Sequence, residues 1–178
     1  MPAHVFSYGS LVAAAARPAV LRGHRRVWGV AMDNRVAIPG YKVYERPDGS
    51  RPPVDVAFLD LAPSGDDSVN GALLPVDDAA LVALDDRERQ YRRVDVTAAV
   101  EPAPGGVVWA FVGRDEGRRR VAHGRRRGTA VIQRAYVRLV ERCFGRLGPG
   151  ELERFHATTE PAPFPVQDLA RVDLPRGS

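Results

Sequence analysis

Cysteine, lysine and long apolar runs are nearly absent from this 178-residue chain, and each scarcity closes off a class of protein. With Cys143 alone there is no intrachain disulfide and no thiolate cluster for a metal. The four histidines, His4, His24, His123 and His156, fall in none of the familiar ligand spacings such as H-E-x-x-H, so a structural or catalytic metal is not expected. No apolar run approaches the roughly 20 residues that span a bilayer. The start of the chain lacks the charged region, apolar run and cleavage site of a secretory signal, which makes a cytoplasmic protein the expectation.

What is present is the composition of an ordinary globular domain, 44% hydrophobic and 27% charged, in a chain long enough to bury a core without staples. The formal charge of +4 rests almost wholly on arginine, Lys42 being the only lysine. From Arg114 to Arg127, seven arginines stand against Asp115 and Glu116, so this segment carries +5 and the rest is nearly neutral. Such a run reads first as a solvated loop. The alternative is a phosphate-binding surface, but no Phe, Tyr or Trp lies between Arg114 and Arg134 to stack on bases, and nucleic acid is disfavoured as a partner.

Six segments have the length and pattern of short strands: His4 to Tyr8, Arg25 to Met32, Val54 to Leu61, Asn70 to Val76, Arg93 to Val100, and Val107 to Val112. Turn-rich stretches separate them at Arg46 to Pro53, Ala62 to Ser68 and Glu101 to Gly106. A helix is predicted from about Thr129 to Phe144, where Ile132, Ala135, Tyr136, Leu139, Val140 and Cys143 recur at steps of three and four. Gly145 and Gly148 offer a left-handed cap, and a short second helix follows over Pro149 to Phe155. Strands in a meander with few helices argue against alternating βαβ units and for an α+β domain or small mixed β-barrel. The expected division is one domain over residues 1–156 and an extended tail over 157–178, which holds four prolines.

Two segments carry the chemistry. In the first, Leu84-Asp85-Asp86-Arg87-Glu88-Arg89-Gln90-Tyr91-Arg92-Arg93, a short helix capped by Asp77 or Asp78 places Leu81 and Leu84 on one face. The same spacing carries Glu88 onto that face. Burial there raises the pKa of the carboxyl and makes it a candidate general acid/base. The alternative is that the helix stops before Glu88, leaving the side chain in water or paired with Arg87, Arg92 or Arg93. In the second segment, Val5-Phe6-Ser7-Tyr8-Gly9-Ser10-Leu11, a buried strand runs into a glycine turn. Gly9 there permits backbone angles that aim successive N–H groups at one anion, and a helix starting near Ala13 would add its positive end.

In order and spacing the two segments together resemble the γ-glutamyl cyclotransferase superfamily, in its ChaC-like and AIG2-like forms. The Tyr8-Gly9-Ser10-Leu11 turn follows the first strand, Leu21-Arg22-Gly23-His24-Arg25-Arg26-Val27-Trp28 follows it, and Val69-Asn70-Gly71 precedes the Leu-Asp-x-x-Glu segment, which Tyr91, Arg92 and Val94 continue. The resemblance covers about Val5 to Val100 and implies a small mixed barrel with flanking helices. It implies release of 5-oxoproline from a small-molecule γ-glutamyl substrate without a cofactor. Glu88 would then be the acid/base, and Tyr8, Gly9, Ser10 and Leu11 would hold the glutamyl moiety. Asn34, Tyr41 and Tyr91 are further candidates for the pocket; Tyr136 is one too, although its helical stripe reads as core.

The stretch Asp33 to Tyr41 departs from the arrangement of the glutathione-specific branch. The leaving group therefore stays open among glutathione, γ-glutamyl amino acids, γ-glutamyl amines and γ-glutamyl-protected metabolites. The chain would act as a monomer or homodimer, away from membranes. A catalytically inactive binding protein on the same fold is the rival reading.

Overall fold

The computed structural model describes residues 3–14 and 17–177. In chain order, β1 (Ala3–Ser7) leads through a 3-10 helix (Ser10–Ala14) to β2 (Arg17–Asp33), β3 (Lys42–Glu45) and β4 (Asp55–Val76). Then come α1 (Asp78–Arg87), β5 (Tyr91–Asp95), β6 (Val100–Glu101), β7 (Val107–Gly113) and α2 (Asp115–Arg127). The last part holds β8 (Ala130–Gln133), α3 (Arg134–Leu147), α4 (Glu151–Ala157), β9 (Val166–Gln167) and β10 (Ala170–Asp173).

The architecture is α+β: a curled half-barrel sheet in the order β5-β7-β1-β4-β2-β6, with four helices. β8 extends the sheet by pairing parallel to β4, and β9 pairs parallel to β8. A separate two-stranded sheet joins β10 to β3. Residues 157–177, the segment read as an extended tail, thus supply a strand to each sheet.

The long antiparallel pair β2–β4 forms the spine. Asp55 through Leu61 are buried without a break, as expected of strand residues covered on both faces. The turn expected over Ala62 to Ser68 is instead carried inside β4. Pairs Arg22↔Ser68 and His24↔Pro63 leave Ser64 to Asp67 opposite Gly23 alone, so the polar residues form a bulge rather than a chain reversal. Gly23, at φ +72°, supplies the left-handed backbone that the bulge needs.

Three other expectations are corrected. The predicted helix over 129–144 begins as a strand, because Ala130–Gln133 is buried on both sides and takes its hydrogen bonds from β4 and β9; helix α3 starts only at Arg134. The arginine-rich segment is helix α2 rather than a loop. Its Gly117, Val121 and Gly124 face the sheet so closely that a Cβ at Gly124 would stand 2.9 Å from Asp55 Oδ2. The arginines serve the fold in part, Arg118 Nε donating to Asp60 at 2.9 Å and Arg120 pairing with Glu116 at 2.6 Å. Finally, the helix expected near Ala13 is the 3-10 helix that begins at Ser10; residues 15 and 16 of the Ala13–Ala16 tract lie outside the described residues.

Arg26 is the largest of the fully buried side chains, and among the described residues no carboxylate lies within 4.0 Å of its guanidinium. Burial pushes its pKa down to about 9. Its donors are met by neutral acceptors: Nε donates to the Tyr8 carbonyl at 2.8 Å, one terminal nitrogen to the Thr159 hydroxyl at 2.9 Å, and the other to the Asn70 carbonyl. The plane also lies over the rings of Phe155 and Phe144, at 4.6 and 5.0 Å from their centroids. This side chain ties the end of β1 to β4 and α4. Replacing it with methionine strands these acceptors without donors and should lower stability by roughly 3–5 kcal/mol in urea unfolding, with Arg26→Lys recovering only part because an ammonium cannot fork. A loss below about 1 kcal/mol would contradict this account.

Candidate active site

Helix α1 forms because Asp77 caps it, its carboxylate accepting from Ala80 N at 2.7 Å, and because Leu81 and Leu84 pack against Val5 and Phe111. The helix ends at Arg87, one residue before Glu88, whose φ of −92° and ψ of 47° leave the helical range. Its amide still donates to Leu84 O at 2.8 Å, so the Cα at 88 keeps its place on the Leu84 face before the chain turns away. The inward direction expected for Glu88 is therefore observed, although the helix is shorter than that expectation required.

Glu88 opens onto a cavity of about 560 Å³. The walls come from the end of β1 and the 3-10 helix (Ser7 to Leu11), the α1–β5 turn (Asp86 to Tyr91), the β3/β10 sheet (Tyr41, Lys42, Tyr44, Arg171, Asp173), Phe58 on β4 and Tyr136 on α3. Of the residues predicted from sequence, Tyr8, Gly9, Ser10, Leu11, Tyr41, Glu88 and Tyr91 all line it, as does Tyr136. Asn34 does not. Its amide donates to the carbonyls of Tyr44 and Pro52 at 2.8 and 2.9 Å and accepts from Tyr44 N at 2.7 Å, so it is a fully buried brace between β3 and the approach to β4.

The ionisable groups that line the cavity are largely buried, and their protonation responds accordingly. The Glu88 side chain is 18% exposed, and burial pushes its carboxyl above the ordinary value of 4.5 against the pull of Arg87, Lys42 and Arg171. Arg87 Nε lies 3.3 Å from Glu88 Oε1 but is itself largely in solvent, which screens the pair. Burial raises the phenols of Tyr8, Tyr91 and Tyr136, which stay neutral. Tyr8 donates to Phe111 O at 2.5 Å and Tyr91 to Leu59 O at 2.7 Å, so both hydroxyls brace the walls.

Gly9 is needed for a different reason from the one expected. Its φ is not in the left-handed range; the constraint is space, because a Cβ there would stand 3.3 Å from the Tyr136 hydroxyl and 3.8 Å from Leu59 Cδ1. Sequence reading missed Ser7, Lys42, Tyr44, Phe58 and Arg171. Ser7 Oγ is buried in the wall and has no hydrogen-bond partner among the described residues. Lys42 did leave a signal, as the single lysine of an otherwise arginine-only chain. No group of three or more His, Cys, Asp or Glu among the described residues could hold a metal ion. No helix among them is long and apolar enough to cross a membrane.

Residues 5–127 match the family model for gamma-glutamyl cyclotransferase, AIG2-like. The chain belongs to that family. No curated protein matches it by sequence. Among solved structures it is similar to YkqA from Bacillus subtilis, with a TM-score of 0.58 and 19% identity over 92% of this chain. The chain spans only 56% of YkqA's length. A structure described as gamma-glutamyl cyclotransferase superposes with a TM-score of 0.56 at 14% identity, covering 94% of each chain. The uncharacterized protein loc79017 from Homo sapiens gives 0.54 at 13%, over 93% of this chain and 92% of that one. At these identities the likeness is one of fold, and it covers more of the chain than the family match does.

Two measurements probe the site without substrate. Gly9→Ala should cost about 1–3 kcal/mol through overpacking, and a double-mutant cycle with Tyr136→Phe should recover much of it, since the hydroxyl is what the new methyl meets. Additive losses in urea unfolding would mean that the contact is not the constraint. A carboxyl whose folded pKa is raised is stabilising when protonated, and that contribution is lost as pH rises through the folded pKa. Glu88→Gln should therefore melt at the same temperature or higher near pH 7, with the difference vanishing near pH 4; a lower melting temperature at pH 7 would contradict the burial account.

Proposed function

We propose that this chain is a γ-glutamyl cyclotransferase, with Glu88 as general acid/base and the Tyr8–Leu11 turn receiving the glutamyl half of the substrate. The observation that carries the reading is that Glu88 and that turn, far apart in sequence, line one cavity, in a chain of this family. A size of about 560 Å³ suits a small γ-glutamyl compound.

The chemistry asks little of the protein beyond shape and proton handling. The substrate's own α-nitrogen attacks its γ-carbonyl carbon, a C–N bond forms, and a five-membered lactam results; no nucleophile from the enzyme is required. The protein must hold the chain folded back on itself, which the enclosing tyrosine and phenylalanine rings favour. The α-ammonium is inert until it loses a proton, and Glu88 as carboxylate takes it. Attack places negative charge on the γ-oxygen, which N–H groups of the turn are suited to receive. The amide nitrogen then departs with its electron pair and takes a proton from Glu88, which returns to the carboxylate. The α-nitrogen sheds a second proton as the ring forms, and this leaves on the product amine as its ammonium or passes to solvent.

A raised Glu88 pKa fits this double duty, because a carboxyl that is too acidic gives its proton back too slowly. A panel of γ-glutamyl amino acids, amines and peptides should reveal release of 5-oxoproline from at least one. Glu88→Gln should lower kcat by about 10²–10⁴ with the fold intact by circular dichroism. The acid limb of kcat/KM in the parent enzyme should fall with decreasing pH at a midpoint above 4.5, since only the carboxylate can accept the ammonium proton. Unchanged turnover in the Gln variant would refute the assigned role.

A further inference from the structure

Lys42 projects into the same cavity with no acid in direct contact, although Glu88 and Asp173, its partner across the β3–β10 pair, lie near enough to act on its charge. Its Nζ lies 4.5 Å from the centroid of Phe58, 5.5 Å from Tyr41 and 5.9 Å from Tyr44. Among the described residues no carboxylate lies within 4.0 Å of it and it donates no hydrogen bond. The neighbouring cations are better provided: Arg87 stands against Glu88, and Arg171 is bound to Asp173 at 2.6 Å. Aromatic faces compensate an ammonium only in part for the water it has lost. Burial and the nearby Arg171 accordingly push its pKa down to about 8. A largely buried cation facing an open cavity is completed by an anionic ligand.

Two substrate carboxylates are available to such a cation, that of the glutamyl half and one on the leaving half. The geometry separates them. Gly9 abuts the Tyr136 hydroxyl, the Tyr136 ring meets Phe58 edge-on at 5.3 Å between centroids, and Lys42 sits over Phe58. Two aromatic rings, Tyr136 and Phe58, thus stand between the turn and the ammonium, which lies on the β3 side of the cavity opposite Asp173 of β10 and within electrostatic reach of Glu88 and Arg171. A glutamyl group seated at the turn directs its leaving group away from the turn, toward that side.

We propose that Lys42, within its ring of Tyr41, Tyr44 and Phe58, forms a second anion subsite that receives a carboxylate on the leaving half, so that γ-glutamyl amino acids or peptides are preferred to γ-glutamyl amines with no acidic group. This rests on the cyclotransferase reading above and narrows it to a substrate class.

Matched pairs that differ only in the carboxylate decide the matter: γ-glutamyl-alanine against γ-glutamyl-ethylamide, and γ-glutamyl-phenylalanine against γ-glutamyl-phenethylamide, each followed by release of 5-oxoproline. The parent protein should favour the acid of each pair by about tenfold or more in kcat/KM, mainly through KM. In Lys42→Met that ratio should fall toward one. Lys42→Gln, which keeps a polar chain without charge, should behave alike and guards against a packing defect in the Met variant. A parent ratio near one, or a ratio that survives both substitutions, overturns the subsite while leaving the cyclotransferase reading intact. Equal losses on acid and amide would assign Lys42 to the glutamyl half and likewise overturn it. Release from neither member of either pair by the parent protein would overturn the subsite, and inactivity across the whole γ-glutamyl panel would overturn the cyclotransferase reading with it.

Discussion

A guanidinium in the core, held by neutral acceptors and faced by no acid, is the constraint on which the rest depends. An ion pair would have given Arg26 one strong partner in one direction; carbonyls and hydroxyls make it a hub with several. Through the fork it binds the Tyr8 carbonyl, the Asn70 carbonyl and the hydroxyls of Thr158 and Thr159. Asn70 in turn donates to Glu151, which carries the connection into α4. Because breaking any of these leaves a buried polar group unmet, the carbonyl of Tyr8 is fixed in space, and with it the direction in which the chain enters the Gly9 turn.

Around that fixed turn the cavity is assembled from parts that do not touch one another in sequence. A helix end supplies the carboxylate, a central strand supplies the turn, and a small sheet made by β3 and β10 closes the far wall. Each wall brings aromatic surface, and the charges buried among these rings lose part of their solvation. That common cause moves Glu88 upward and Lys42 downward. Groups that would be inert as acid and base in water are thereby brought closer to neutrality.

The sequence reading succeeded where a local rule sufficed. The Asp77 cap and the Leu81–Leu84 spacing located α1 and the facing of Glu88, and buried apolar residues located β1, β7 and the buried half of β4. It failed where long-range pairing overrode a local signal. The polar run Ser64 to Asp67 remains in a strand because β2 holds it at both ends, and Ala130 to Gln133 forms a strand because β4 offers an edge. The helix α2 was hidden by its arginines, since Gly117 and Gly124 face the sheet and a glycine leaves no apolar stripe to read. Asn34 was misjudged because a buried asparagine that braces backbone and one that binds a ligand look alike in a sequence. Ser7 entered the cavity by tertiary packing alone, whereas Lys42 was marked only by being the single lysine.

The linkage of Arg26 to Thr158 and Thr159 also bears on how the protein comes into being. The arginine that fixes the turn near residue 8 takes part of its hydrogen bonding from Thr158 and Thr159, 132 and 133 positions further along the chain, and β1 itself waits for β7 at its other edge. Contacts of such long separation delay closure of the chain. The pair of β2 and β4 can form while Arg26, already met by the carbonyls of Tyr8 and Asn70, still lacks its acceptors on Phe155, Thr158 and Thr159. A chain halted before α4 thus carries Glu88 without Arg171 and Asp173, which close the cavity that it lines.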